Sequence, residues 1–191
     1  MSSILLHTCC SPCACHPIKK LADQGYQVTL FYYNPNIHPT DEYQLRLNEL
    51  KKYLNKLKNI KIIEGKYEPK KWFELIKGLE DEPEKGKRCD ICYQMRLAET
   101  AKIARGKRFD YFGSTLSISP HKKAVKISEL GNIIAKEYGV KFFDKDWKKM
   151  EGFKQACLIA KQENFYRQDY CGCVYSKTNK FSKSSKTNSI T

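Results

Sequence analysis

The sequence predicts an α/β fold, in which a single parallel sheet of five strands is covered by helices on both faces. Short apolar runs alternate along the chain with segments whose apolar residues recur every three to four positions. No internal repeat interrupts this alternation, which is typical of parallel sheets connected by helices. The length of 191 residues suits one such domain. We expect it to span residues 1–176, with a flexible basic tail at 177–191 that carries four lysines and no acid.

The first half of the chain is predicted to contain three strands and three helices. The strands are 4–7, 27–33 and 61–64, and the helices are 18–24, 43–57 and 72–79. The first helix is expected to begin behind Pro17 and to end at Gly25, because proline favours the first helical turn and glycine the position after the last. The second helix is amphipathic, since an apolar stripe recurs along it at Tyr43, Leu47, Leu50, either Tyr53 or Leu54, and Leu57.

The second half of the chain continues the same order. The strands are 109–114 and 140–143, and the helices are 89–101, 122–138 and 150–162. The charged segment 80–88 contains a proline and a glycine, which indicates a loop and not a domain boundary. Parallel sheets bind ligands beyond the carboxyl ends of their strands. Because Cys9 and Cys10 follow the first strand, we expect the functional site there.

The charge of the chain indicates a polyanionic partner. Lysine and arginine number 35 against 21 acidic residues, for a net charge of +14. A positive surface attracts nucleic acid, although a solvated lysine-rich surface is the alternative explanation. The chain has no apolar run of about 18 residues and no cleavable signal. These features predict a cytosolic protein with no membrane partner.

The nine cysteines carry most of the chemical information. In a reducing compartment they are more typical of metal ligands or redox groups than of structural disulfides. Cys89 and Cys92 lie three apart at a predicted helix start, where backbone N–H groups favour thiolates. Together with Cys9 and Cys10 they can form one four-thiolate site. Adjacent cysteines are unusual in zinc sites, so an iron–sulfur cluster is favoured over zinc, with buried packing as a third interpretation.

The remaining cysteines leave alternatives open. Cys171 and Cys173 flank one glycine, and such a close pair is suited to relaying two electrons through a strained disulfide. Metal ligation or inert thiols are the competing interpretations. Cys13 is close enough in sequence to Cys10 to reach an extra metal or to take part in chemistry. Cys15 is not assigned, with packing as one interpretation. Cys157 is expected to pack in the core, because it belongs to the apolar stripe of the last helix.

Aromatic and basic residues interleave in 165–170, a pattern that can stack a base or pair with a phosphate, although helix-end packing explains it too. The chain contains neither a glycine-rich phosphate loop nor a pyrophosphatase loop after the first strand. This weakens any interpretation as a nucleotide-hydrolysing enzyme.

The order and spacing of these motifs resemble the QueH family of cobalamin-independent epoxyqueuosine reductases. The matching motifs are Leu6-His7-Thr8-Cys9-Cys10-Ser11-Pro12-Cys13, Tyr33-Asn34-Pro35-Asn36-Ile37, Arg88-Cys89-Asp90-Ile91-Cys92-Tyr93, Ser119-Pro120-His121-Lys122 and Phe165-Tyr166-Arg167-Gln168-Asp169-Tyr170-Cys171-Gly172-Cys173. The resemblance implies a fold of the adenine-nucleotide α-hydrolase-like group, also called HUP or PP-loop-like. It implies reduction of epoxyqueuosine to queuosine at the wobble position of tRNA, the last step of queuosine synthesis.

The resemblance also implies the cofactor and its ligands. A [4Fe–4S] cluster is expected on Cys9, Cys10, Cys89 and Cys92, beside a redox-active pair formed by Cys171 and Cys173. The reaction consumes two electrons and two protons, so an electron donor and an acid are required. The candidate acids are Asp90, His7, Glu42 and Tyr43, although a lone strand histidine such as His7 is more often a core residue. An additional mononuclear metal, such as iron, touching Cys13 is a further hypothesis, because a Lewis acid can bind the epoxide oxygen.

Two other functions stay open at this point. One is a zinc-stabilised tRNA-binding module without redox chemistry. The other is a cluster-dependent tRNA thiolation enzyme, which requires ATP and a pyrophosphatase loop.

Overall fold

Strands and helices alternate along the chain in the predicted order. The structure is a computed structural model that describes residues 1–177. The strands are β1 (Ser3–His7), β2 (Gln27–Tyr32), β3 (Lys61–Glu64), β4 (Tyr111–Ser114) and β5 (Lys141–Phe142). The helices are α1 (Ser11–Asp23), α2 (Thr40–Leu54), α3 (Pro69–Leu75), α4 (Lys87–Gly106), α5 (Ala124–Tyr138) and α6 (Gly152–Gln162), and a 3-10 turn covers Leu116–Ile118.

The five strands form one parallel sheet in the order β3-β2-β1-β4-β5. At the centre of the sheet, His7 of β1 pairs with Phe31 on one side and with Ser114 on the other. From β1 the chain adds β2 and then β3 on one side of that strand. It then returns to place β4 on the other side of β1. The strand order therefore reverses between β1 and β4, and their carboxyl ends form the crevice in which such sheets bind ligands. The predicted fold class is confirmed.

Helices cover both faces of the sheet, each over its own apolar core. Ile4 and Leu6 of β1 belong to the core that α1, α2 and α6 share, whereas Leu5 belongs to the core under α3, α4 and α5. All three side chains are fully buried. This double burial explains why β1 is a continuous apolar run and not an alternating one.

The first helix begins earlier than predicted, at Ser11 instead of residue 18. Pro12 occupies the first turn, where its missing N–H costs nothing, and Pro17 lies inside the helix, where it deprives the Cys13 carbonyl of its donor. Cys13 and Cys15 therefore lie on the first turns of α1 and not in the preceding loop. The other helices and strands begin within three residues of the prediction.

The basic tail predicted for 177–191 lies outside the described residues apart from Lys177, whose ammonium lies 5.4 Å from the centre of the Tyr170 ring. None of the helices in residues 1–177 combines the length and the apolar character that crossing a bilayer requires.

Candidate active site

Three thiols meet at the carboxyl end of β1. The turn after the strand holds Cys9 and Cys10, and the first turn of α1 brings Cys13 back toward them. The three Sγ atoms lie within 4.8 Å of one another, and those of Cys9 and Cys10 are 3.8 Å apart. Hydrogen bonds from the Cys10 and Cys13 thiols lower the pKa of Cys9. Soft sulfur donors at this spacing are chemically suited to a thiophilic metal.

The second predicted pair lies on the first turns of α4. Cys92 is buried and Cys89 is half-buried, with the backbone N–H of Lys85 donating to the Cys89 sulfur at 3.3 Å. Burial raises the pKa of both thiols. The expected preference for thiolates at this helix start is therefore outweighed by the cost of taking the charge out of water.

Two cations act electrostatically on thiols of both cysteine pairs, the pair Cys9 and Cys10 and the pair Cys89 and Cys92. The Arg96 guanidinium is buried, donates to the Cys92 carbonyl at 2.9 Å and attracts the sulfurs of both Cys9 and Cys92. The Lys122 ammonium acts on Cys9, on Cys92 and also on Cys171. Because Coulomb attraction weakens with distance, two cations that act on thiols from both pairs indicate that the pairs face the same region.

The Cys171–Gly172–Cys173 segment packs against the loop after β2. Gly172 has a φ of 103°, and a Cβ there would lie 2.7 Å from Cγ1 of Ile37. Only glycine suits this position. The Gly172 carbonyl accepts the His38 N–H at 2.8 Å. Both cysteines are free thiols, and their mutual hydrogen bond lowers the pKa of Cys171 while raising that of Cys173. Cys171 is therefore the member that forms the thiolate.

Arg46 anchors this segment to α2. It is 1% exposed, and its Nε donates to Oε1 of Glu42 at 2.7 Å. Its two other nitrogens donate to the carbonyls of Tyr170 at 3.2 Å and Cys171 at 3.3 Å. Sequence reasoning assigned no role to Arg46. The four-residue spacing from Glu42 is a sequence signal for the ion pair, but it does not reveal the carbonyl partners.

Replacing Arg46 by methionine is expected to lower the free energy of unfolding by about 3–5 kcal/mol, because a nearly buried Glu42 carboxylate loses its partner. The control is Lys51→Met on the same helix as Arg46, which breaks the exposed ion pair of Lys51 with Glu64 of β3 and should cost less than about 1 kcal/mol. Urea unfolding of the two variants measures both values. Equal losses would show that Arg46 does not act as a buried anchor.

One cavity of about 180 Å³ opens beside these groups. Its wall includes Cys9 and Cys13 from the amino-terminal thiols, Cys171 from the carboxyl-terminal pair, and Lys122. Gln168 also lines it and donates from Nε2 to the Cys10 sulfur at 3.1 Å. Thiols from both ends of the chain therefore border a single small space at the crevice of the sheet. Sequence reasoning assigned no role to Lys122 or Gln168.

His7 is a structural residue of the core, which is the alternative to a role as an acid that the sequence left open. Its Nε2 lies 3.1 Å from the Tyr33 carbonyl and its Nδ1 lies 3.2 Å from the Ser114 hydroxyl. Burial lowers the pKa of His7 to about 3, so the ring is neutral at physiological pH. It joins β1 to the segments that follow β2 and end β4.

The other candidate acids do not line the cavity, since its described wall includes none of the three. Glu42 is paired with Arg46, and burial raises the pKa of Tyr43 to about 12. Asp90 lies on the first turn of α4, and its Oδ1 is buried without a hydrogen-bond partner among residues 1–177.

Two cysteines lie outside this set. Cys15 is buried and packs against α6, with its sulfur 3.8 Å from the Ala156 carbonyl. Cys157 was predicted to pack in the core, and this is wrong. Ala156 and Ala160 are the α6 residues that face the core, whereas Cys157 is half-buried, with the Arg167 guanidinium 3.7 Å from its sulfur.

Fold and site together define a class of protein: a parallel α/β protein whose central crevice is built from cysteine thiols and cations, a setting for metal and redox chemistry. A family model described as epoxyqueuosine reductase QueH matches residues 4–179. The chain belongs to the epoxyqueuosine reductase QueH family.

Relatives named epoxyqueuosine reductase QueH cover most of the chain. The one from Acinetobacter baylyi is 41% identical over 174 residues, which is 91% of this chain and 79% of the relative. The one from Staphylococcus epidermidis is 40% identical over 90% of this chain and 75% of its own. The one from Thermotoga maritima is 36% identical over 92% of this chain and 91% of its own.

A solved structure shares the fold. It is described as a predicted subunit of tRNA methyltransferase from Methanocaldococcus jannaschii, and it superposes with a TM-score of 0.56 over 84% of this chain and 75% of its own. At 13% identity the likeness concerns the fold alone.

Proposed function

We propose that this chain reduces the epoxide of epoxyqueuosine in tRNA to the alkene of queuosine, without cobalamin. The observation that carries the proposal is the cavity bordered by Cys9, Cys13 and Cys171, which joins a candidate metal site to a candidate redox pair. Family membership supplies the identity of the reaction. Because tRNA is the substrate, the enzyme would act in the cytoplasm.

The redox balance of the reaction suits the cysteine pair. Deoxygenation of the epoxide breaks two C–O bonds, forms one C=C bond and releases the oxygen as water, and it consumes two electrons and two protons. Oxidation of the Cys171 thiolate and the Cys173 thiol to a disulfide releases two electrons and one proton, so the second proton must come from another acid. An external electron donor, of a class that delivers low-potential electrons, must then reduce the disulfide for the next turnover.

The residues of the site fit an iron–sulfur cluster. Cys9, Cys10, Cys89 and Cys92 would hold a [4Fe–4S] cluster, since they are soft donors and each lies near a cation: Arg46 acts on Cys9 and Cys10, and Lys122 acts on Cys89 and Cys92. Cations offset the negative charge of a four-thiolate site. A cluster there would supply single electrons. Cys13 would hold an additional mononuclear iron, which would supply Lewis acidity.

The chain itself supplies proton-bearing groups to the substrate. The Lys122 ammonium borders the cavity and lies 5.9 Å from the Tyr93 ring centre, and the Cys171 thiolate keeps it protonated by raising its pKa. It would donate a hydrogen bond to the departing oxygen. Asp90 is retained as a proton donor, because its buried Oδ1 is free of protein partners among the described residues.

Binding of tRNA should weaken steeply with salt, because a protein of net charge +14 displaces counterions from the phosphate backbone. We expect removal of 178–191, which carries three lysines, to reduce the slope of log Kd against log salt by less than about one per lysine. A full-length variant with Lys180, Lys183 and Lys186 changed to glutamine separates charge from length. Unchanged affinity and slope in both variants would exclude a role for the tail.

An anaerobic assay tests the function directly. The purified protein, tRNA containing epoxyqueuosine and a chemical reductant are incubated, and the nucleosides are analysed by mass spectrometry. Loss of one oxygen from the modified nucleoside is the expected result. A colourless, zinc-containing protein that binds the tRNA without converting it would favour the binding-module alternative instead.

A further inference from the structure

A second cavity adjoins the thiol-lined one. It also measures about 180 Å³, and it shares Cys13, Ser119, His121 and Gln168 with its neighbour. The part of its wall that the two cavities do not share is largely apolar. It includes Ile118, Pro120, Phe153 and Ala156, with the Arg167 side chain at one edge. The two cavities thus adjoin at these shared residues, and one has a thiol-rich wall while the other has a largely apolar wall.

We propose that the apolar cavity binds the 7-deazaguanine base of the substrate nucleotide, turned out of the anticodon loop, while the thiol-lined cavity holds the epoxide ring. The inference rests on the proposed function and adds the subsite that selects the substrate. An enzyme that acts on one base of a nucleic acid must bring that base out of its stack into a fitted pocket.

The substrate has the same two-part form as the site. Epoxyqueuosine is a flat heterocyclic base joined through an aminomethyl group to the cyclopentane ring that carries the epoxide. The ring must reach the thiols to receive electrons, so it belongs in the cavity with Cys9 and Cys171. The short linker then crosses where the two cavities share Cys13 and Gln168, which leaves the base in the apolar cavity.

The apolar cavity offers the contacts that a guanine-type base requires. Phe153 is 40% exposed although it belongs to an amphipathic helix, which leaves an aromatic face open for stacking. Gln168 has a buried Oε1 without a hydrogen-bond partner among residues 1–177, an acceptor for the ring N–H or amino group. The Arg167 guanidinium is a donor for the carbonyl oxygen of the base and also a surface for stacking.

Paired tRNAs test the base pocket. Two tRNAs, identical except for epoxyqueuosine or an abasic residue at the wobble position, are titrated anaerobically into the cluster-containing, full-length protein. The wild type should prefer the modified tRNA. Phe153→Ala and Arg167→Ala should each reduce this preference about tenfold, as expected for the loss of one base-stacking contact. Phe153→Tyr should restore it.

The control is Arg105→Ala, which removes the same charge from an exposed site near the amino end of β4, at the opposite edge of the sheet. This variant should bind both tRNAs slightly more weakly and should keep the same preference between them. An unchanged visible spectrum in every variant excludes loss of the cluster as the cause.

Each remaining outcome counts against the inference in a different way. If the wild type prefers the modified tRNA and both alanine variants keep that preference, the base pocket is overturned while the proposed function stands. If the variants weaken the binding of both tRNAs equally, the apolar cavity binds a neighbouring nucleotide, and its assignment to the modified base is wrong. A wild type that neither discriminates nor converts overturns the proposed function and the pocket together.

Discussion

Replacing Cys89 by alanine is expected to remove most of the iron from the protein and to lower the rate of epoxide reduction by more than about 100-fold, since even groups that only support a metal ligand change activity by about 10–100-fold. Cys89 is the half-buried member of the two predicted ligand pairs. Its replacement therefore leaves the smallest defect in packing. Iron analysis and the visible spectrum of anaerobically purified protein measure the effect, and Cys9→Ala, Cys10→Ala and Cys92→Ala should behave alike.

Cys15→Ala provides the control for the ligand variants. It removes a thiol that is buried against α6 and does not line the thiol-rich cavity. Iron content and reduction should survive, with only a modest loss of stability. Full iron occupancy in the Cys89 variant would contradict the ligand assignment. Zinc in place of iron in the wild type would contradict the cluster itself.

Serine variants of the Cys171 and Cys173 pair are expected to give the opposite combination of results. Cys171→Ser and Cys173→Ser should each keep the iron and the colour, while turnover falls on the order of 100-fold, equivalent to about 2.7 kcal/mol of transition-state stabilisation. The physical reason is that the pair carries the two electrons that a one-electron cluster cannot deliver at once. Turnover with a physiological reductant and iron content are measured on the same preparations.

A single turnover without added reductant provides an independent measurement for this pair. The wild type should lose two alkylatable thiols, at Cys171 and Cys173, as one equivalent of alkene forms. Serine variants that lose their metal would identify the two cysteines as ligands. A double variant that retains both the cluster and undiminished turnover would show that the redox assignment is wrong.

Local patterns in the sequence predicted the elements and the thiol groups, because periodicity and spacing are local properties. The predicted start of the first helix, behind Pro17, is too late. The helix begins at Ser11 and continues through Pro17. The cations and polar anchors were not predictable in this way. Arg46 donates to a carbonyl 125 residues away, and Gln168 donates to a sulfur 158 residues away. Only the tertiary fold brings such partners together.

Residues 165–177 are synthesised last among the described residues, and this affects how the protein matures on the ribosome. The cavity wall contributed by Gln168 and Cys171 comes from the last part of the described chain, whereas Cys9, Cys10, Cys89 and Cys92 are synthesised long before it. While the ribosome still holds residues 165–177, Cys9 and Cys13 lack that part of the cavity wall. If a cluster forms on Cys9, Cys10, Cys89 and Cys92 as proposed, an iron–sulfur carrier would reach these thiols before the segment with Cys171 and Cys173 is in place.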